Sequence, residues 1–159
     1  MKRGSAFDCS LRVLALRDHS EAELRRKLKE KGYQEGIEES IARLKELDFL
    51  DDLRFARSFA ASAVRNGRGY GARLKLELKR RGVDPVIVSQ VLDEISEEYS
   101  EKELLAELIE RRYAGFDAGS AGDKEKRKVV GYLQRKGFSL SAIFSQINGE
   151  RGWGQKAGE

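Results

Sequence analysis

Short apolar stripes alternate with charged stretches along this chain, and one such pattern returns three times. Leu24, Leu28 and Gly32 form the first copy, inside ELRRKLKEKGY. Leu74, Leu78 and Gly82 form the second, inside RLKLELKRRGV, and Val129, Leu133 and Gly137 form the third, inside KVVGYLQRKGF. In each copy two apolar residues lie four apart, basic residues crowd before the glycine, and an apolar residue follows it. The glycines recur at about 50 residues, the period of a multi-helix repeat. The spacing predicts three amphipathic helices, each closed by a glycine that accepts the left-handed backbone a helix terminus often needs.

The flanking patterns complete a three-helix unit around each copy. In the first unit, Leu11, Leu14 and Ala15 mark the stripe of a leading helix, with Ser5 or Asp8 as its cap. Ser20 and Glu23 have the spacing of a capping box for the second helix, and Ile37, Ile41, Leu44 and Leu47 mark a third. The second unit opens with Asp51 as cap and with Asp52 near the positive end of the helix dipole. Leu53, Ala56, Phe59, Ala60 and Ala63 form the expected buried face, Phe55 lies one turn from Phe59, and Asn66-Gly67 closes the helix. Leu74, Leu76 and Leu78 alternate with Lys75 and Glu77, which alone would suggest a strand. The matching segments around Leu24 and Val129 lack that alternation, so a helix is expected, with Phe55, Phe59, Leu74 and Leu78 as the core of the middle unit. Asp84-Pro85 is a cap followed by proline at the first helical position, leading into Val88, Val91 and Ile95.

The third unit begins with a capping-box pair, Ser100 and Glu103, before Leu104, Leu105, Leu108 and Ile109. AGFDAGSAGD is a glycine-rich connection and the expected flexible joint; helices near 123–136 and 139–148 follow, the latter capped by Ser139. The expected domains are therefore repeats at 1–48, 49–97 and 98–148, then a tail at 149–159 too rich in glycine and polar residues to pack. Trp153 in that tail is read as an exposed aromatic.

Composition agrees with this layout. Charged residues make up 36% and aromatics 8%, which suits small helical modules with thin cores. A single proline and few β-branched residues favour helix. Cys9 is the only cysteine, so it cannot form an internal disulfide; it is expected in a helical core, and the chain in a reducing cytosol. No run approaches the ~20 apolar residues of a membrane span. The first apolar stretch is short and interrupted by Arg12, so neither a secretory signal nor a membrane association is expected.

Charge follows the same period. The formal net charge is +4, a mild basic excess that permits nucleic-acid binding without requiring it. Cations concentrate on and near the second helices. The candidate binding residues are Arg25, Arg26 and Lys29 in the first unit and Arg65, Arg68, Arg73, Lys79, Arg80 and Arg81 in the second. Lys124, Arg127, Lys128, Arg135 and Lys136 continue the series in the third. Tyr70, in the basic loop RGYG, suits either stacking on a base or packing against a neighbouring helix. The third helices are acidic, with Glu35, Glu38, Glu39 and Glu46 in one and Asp93, Glu94, Glu97 and Glu98 in another. If the units stack in register, the basic helices form a stripe; otherwise these are solvated faces with i,i+4 pairs.

Catalytic and metal-binding patterns are missing from the sequence. GRGYGARLK has spaced glycines but follows a helix rather than a strand, so it lacks the context of a phosphate-binding loop. His19 is a lone histidine in a turn, and helix capping accounts for Asp51 and Asp52. No catalytic residue, metal or cofactor is expected.

Arg17-x-x-Ser20-x-x-Glu23-Leu24-x-x-Lys27-Leu28-x-x-Lys31-Gly32 resembles the opening signature of the bacterial RecX regulatory family. Leu50-Asp51-Asp52-x-x-Phe55-Ala56-x-x-Phe59 is similar to its second signature. Gly69-x-Gly71, then Leu78-x-x-x-Gly82-Val83, and finally Leu133-x-Arg135-Lys136-Gly137-Phe138-Ser139 continue in that family's order. The resemblance implies an all-α fold of three tandem three-helix units, expected here as an elongated, curved, monomeric rod. It also implies binding to the filament that RecA recombinase forms on single-stranded DNA. Inhibition of strand exchange and ATP hydrolysis, and an affinity for single- and double-stranded DNA, come with it. The basic helices would then face phosphates or acidic protein surface. A stand-alone helical-repeat DNA-binding protein is the alternative.

Overall fold

A computed structural model of the chain describes residues 4–148. The tail at 149–159, with Trp153, lies outside the described residues. Nine α-helices and no strand occur among the described residues: α1 (Ala6–Leu16), α2 (Glu21–Glu30), α3 (Ile37–Glu46), α4 (Asp52–Arg65), α5 (Gly71–Arg80), α6 (Pro85–Glu98), α7 (Glu101–Arg112), α8 (Asp123–Arg135) and α9 (Leu140–Asn148). The recurring pattern falls on α2, α5 and α8. Its two apolar positions are fully buried in each: Leu24 and Leu28, Leu74 and Leu78, Val129 and Leu133. Its glycine follows the helix in the left-handed region, at φ 88° for Gly32, 77° for Gly82 and 101° for Gly137. Leu76, the middle residue of the strand-like alternation, is 40% exposed on a helix whose apolar face is Leu74 and Leu78.

Capping residues set the helix starts. Ser20 and Glu23 make the reciprocal capping box of α2. Ser5 caps α1 by accepting the Asp8 N–H, and Asp51 caps α4 by accepting the Arg54 N–H at 3.0 Å. Asp84 accepts the Val86 N–H at 2.8 Å ahead of Pro85, and Ser139 accepts the Ala142 N–H at 3.2 Å. At α7 the Ser100 half of the expected box is present, with the Glu103 N–H bonded to the Ser100 hydroxyl. The glycine-rich connection before α8 is held by Asp117, whose carboxylate accepts from the Gly119 N–H and the Ser120 hydroxyl.

Three apolar faces differ from the sequence expectation. α1 buries Ala6, Cys9, Ser10 and Val13, leaving Leu11 and Ala15 exposed and Leu14 partly covered. The run Val13-Leu14-Ala15-Leu16 is apolar on every side, so its periodicity does not single out one face. Leu47 lies just beyond α3 and is 47% exposed. On α4, Phe55, Ala56, Ala60, Ala63 and Val64 are buried, whereas Leu53 and Phe59 are only half-buried.

The chain forms two compact units. The first comprises the chain through Phe59 together with Glu77–Val91. There α1, α2 and α3 pack on one another around Cys9, Val13, Leu24, Leu28, Ile37, Ile41, Leu44 and Leu50. Each fully buried leucine in such a core contributes about 1.5–3 kcal/mol. The second unit comprises Ala60–Leu76 and the described residues from Leu92 onward. In it α9 packs against both α7 and α8, with Leu105, Leu108, Val129, Leu133, Phe138 and Ile143 buried.

Candidate functional site

The basic helices are held by two joints of common design. In each, the glycine turn ending one second helix rests on the first turn of the preceding second helix. In the first unit, the turn after α5 meets the start of α2. The Ser20 hydroxyl donates to the Arg81 carbonyl while accepting the Glu23 N–H. A β-carbon on Gly82 would lie 2.3 Å from that of Ala22, so only hydrogen fits. The Arg81 guanidinium reaches the Glu23 carboxylate at 2.7 Å and lies 4.5 Å above the Phe59 ring. Glu23 is almost fully buried and also pairs with Arg17 at 3.3 Å. Asp52, the first residue of α4, accepts the Glu21 N–H at 2.8 Å, capping α2 from another helix. Burial raises the Asp52 pKa above its ordinary value, against the lowering effect of that hydrogen bond.

The second unit repeats the joint with different chemistry. The Tyr70 N–H donates to the Lys136 carbonyl at 2.9 Å, and the Ala72 N–H to the Gly137 carbonyl at 3.3 Å. A β-carbon on Gly137 would stand 1.8 Å from the Tyr70 carbonyl oxygen. The Tyr70 and Phe138 rings stack nearly parallel, centroids 5.3 Å apart. Tyr70 is 9% exposed, and burial pushes its phenol above the ordinary value. The ring is packed within the second unit, the other of the two arrangements its loop allows.

Three of the sequence candidates thus have partners within the protein. Besides Tyr70 and Arg81, Arg25 is drawn in, its guanidinium bonded to Glu38 at 2.7 Å and to Glu21 at 3.1 Å. These bonds, the one to Glu38 foremost, raise the Arg25 pKa and lower that of Glu38. Arg73 and Lys136 are half-buried beside the second joint. The remaining candidates are exposed. Arg26, Lys29, Lys79 and Arg80 belong to the first unit, and Arg65, Arg68, Lys124, Arg127, Lys128 and Arg135 to the second. Arg26 meets Glu30 at 3.8 Å and Arg80 meets Glu77 at 3.5 Å, exposed pairs worth about 0–1 kcal/mol that a stronger anion can displace.

Sequence reading gave no weight to Phe144. It is 42% exposed and follows the fully buried Ile143, so it points off the core face of α9. That adjacency is the signal that marks it. Phe144 and Ile147 of α9, with Val130 of α8, line an open groove of about 560 Å³ edged by Lys126 and Arg127. Among the described residues no cluster of three or more histidine, cysteine, aspartate or glutamate side chains could hold a metal ion, and no helix is long and apolar enough to cross a membrane.

Tandem three-helix units with buried apolar stripes and exposed cations define an all-helical repeat protein. Family models described as the first, second and third three-helix domains of RecX match residues 6–44, 51–92 and 100–147. The chain belongs to the RecX family of regulatory proteins. It is 34% identical over 150 residues to regulatory protein RecX of Syntrophotalea carbinolica, covering 94% of this chain and 98% of that one. It is 42% identical over 140 residues to regulatory protein RecX of Trichlorobacter lovleyi, covering 86% and 91%. Its fold is similar to the crystal structure of RecX from Lactobacillus salivarius, with a TM-score of 0.72 at 23% identity over 92% of this chain and 94% of that one.

Proposed function

We propose that this chain is a cytoplasmic modulator of RecA recombinase. It binds the nucleoprotein filament that RecA forms on single-stranded DNA and inhibits strand exchange and the linked ATP hydrolysis. It acts by binding rather than by catalysis of its own. Membership of a regulatory family supports the role. The observation that carries the mode of action is the set of exposed cations on α2, α5 and α8, helices whose apolar faces are committed to the core. Long cationic side chains on such helices suit phosphates or acidic protein surface. The repeats at 1–48, 49–97 and 98–148 each contribute one such helix.

The test is RecA's DNA-dependent ATP hydrolysis with this protein at substoichiometric amounts. Inhibition is expected, and Lys79→Glu with Arg80→Glu should weaken it while helicity is unchanged. Unaltered hydrolysis with the wild-type protein would reject the reading. A stand-alone DNA-binding module, which the same cations would serve, should bind DNA equally tightly with or without RecA.

A further inference from the structure

The groove between α8 and α9 lies beside a line of cations. At 3.6 residues per turn, Lys124, Lys128 and Arg135 fall within about 40° of one another around α8. They form a row about 16 Å long at 1.5 Å per residue, and all three are exposed. Arg127 and Gly131 lie between this row and the groove. A β-carbon on Gly131 would lie 3.2 Å from the Arg135 guanidinium, so that cation of the row reaches over the glycine to the groove's edge. The groove itself is apolar, with Phe144, Val130 and Ile147 as walls and Lys126 and Arg127 at its edge. Asp123 also lines it, and its carbonyl accepts from Arg127 Nε at 3.3 Å. That carboxylate disfavours a phosphate at its own end and directs an anionic chain toward the Lys124–Arg135 side.

A flat apolar site directly beside a cationic track suits a polymer that carries an anion and an aromatic group in each residue. We propose that this groove takes one nucleobase of single-stranded DNA, with Phe144 as its stacking surface, while Lys124, Lys128 and Arg135 hold the adjoining phosphates. This deepens the function proposed above and rests on its DNA contact alone. Phe144 supplies sequence-tolerant affinity that does not respond to salt. The lysines supply the salt-dependent part.

The test uses the full chain without RecA and a short oligothymidylate carrying one central 2-aminopurine, beside the same strand with abasic sites. The wild-type protein should bind the intact strand at least fivefold more tightly than the abasic one and should quench the 2-aminopurine. Phe144→Leu should bind both strands alike with an unchanged salt slope, and Phe144→Trp should restore the preference. Lys128→Gln should flatten the log-affinity versus log-salt slope by about 0.7 and keep the preference. Equal binding of intact and abasic strands by the wild-type protein overturns the proposal. So does a Phe144→Leu variant that keeps full DNA affinity but loses its effect on RecA, because the groove then receives protein. Intact-strand preference together with unaltered RecA hydrolysis leaves this site standing and removes the RecA reading.

Discussion

The two joints solve one packing problem with opposite chemistry. At the first, the turn at Gly82 is fixed by side chains: the Ser20 hydroxyl on the Arg81 carbonyl and the Arg81 guanidinium on the buried Glu23. At the second, the turn at Gly137 is fixed by two backbone hydrogen bonds and the parallel rings of Tyr70 and Phe138. An ionic joint depends on the charges of its side chains. A backbone-and-ring joint depends on fit alone. The same fold therefore tolerates different perturbations at its two seams.

The largest effect separating them is expected at the glycines. Gly137→Ala sets a methyl group 1.8 Å from a carbonyl oxygen at φ 101°. It should cost about 2–6 kcal/mol, combining backbone strain with overpacking, measured by denaturant unfolding. Gly82→Ala meets another methyl group, that of Ala22. Its loss should be partly recovered in the Gly82→Ala, Ala22→Gly double variant, whereas no side-chain deletion can clear the path at Gly137. Failure of that rescue would show that the two seams are alike.

Glu23→Gln comes next. The amide can still accept from the Ser20 N–H, but the charge that faces Arg81 and Arg17 is lost. With Arg81 about one-third exposed, the cost should be about 1–3 kcal/mol, below that of breaking a fully buried pair. A melting temperature equal to that of the wild type would mean that solvent already screens the first joint.

The smallest effect is a pH dependence near neutrality at the first joint. His19, one residue before Ser20, is buried with Nδ1 bonded to the Arg17 carbonyl at 2.9 Å. Burial holds its pKa below 6.5, so in that window the unfolded chain binds more protons than the folded one. Its contribution is complete above 6.5 and declines as the pH falls toward the lowered value. His19→Gln should flatten the decline in unfolding midpoint between about pH 7.5 and about pH 5.5. Gly69, at the matching place in the second joint, carries no titrating group. Equal slopes in variant and wild type would assign the decline to other residues.

What sequence could and could not show follows from distance along the chain. The apolar pair, the cations and the glycine of each second helix fall within nine residues, so periodicity and capping chemistry were enough to place α2, α5 and α8. Ser20, Asp51, Asp84 and Ser139 were legible as caps for the same reason. The joints were not. Glu23 and Arg81 are 58 residues apart, and Arg81 carries the same side chain as its exposed neighbour Arg80. The two differ by about 100° around the helix axis, which turns one inward to a carboxylate and leaves the other in water. Tyr70 had two readings from its loop, and its stacking on Phe138, 68 residues away, could not be seen from that loop. Phe144 escaped notice because a single aromatic beside a core isoleucine has no repeat to mark it.

Asp52 and Arg81 also bear on how such a protein can be divided or rebuilt. The first turn of α2 is completed by a carboxylate from α4 and a guanidinium from the end of α5. A polypeptide cut in the loop just before α4 would keep every apolar residue of the first core yet leave Glu23 without Arg81, with Arg17 the other cation paired to it among the described residues. Loop boundaries are therefore poor places to exchange repeats among relatives. A chimera that carries the segment from Glu77 to Val91 along with the first three helices keeps their electrostatic partner. The compact unit and the three-helix repeat therefore do not share their boundaries.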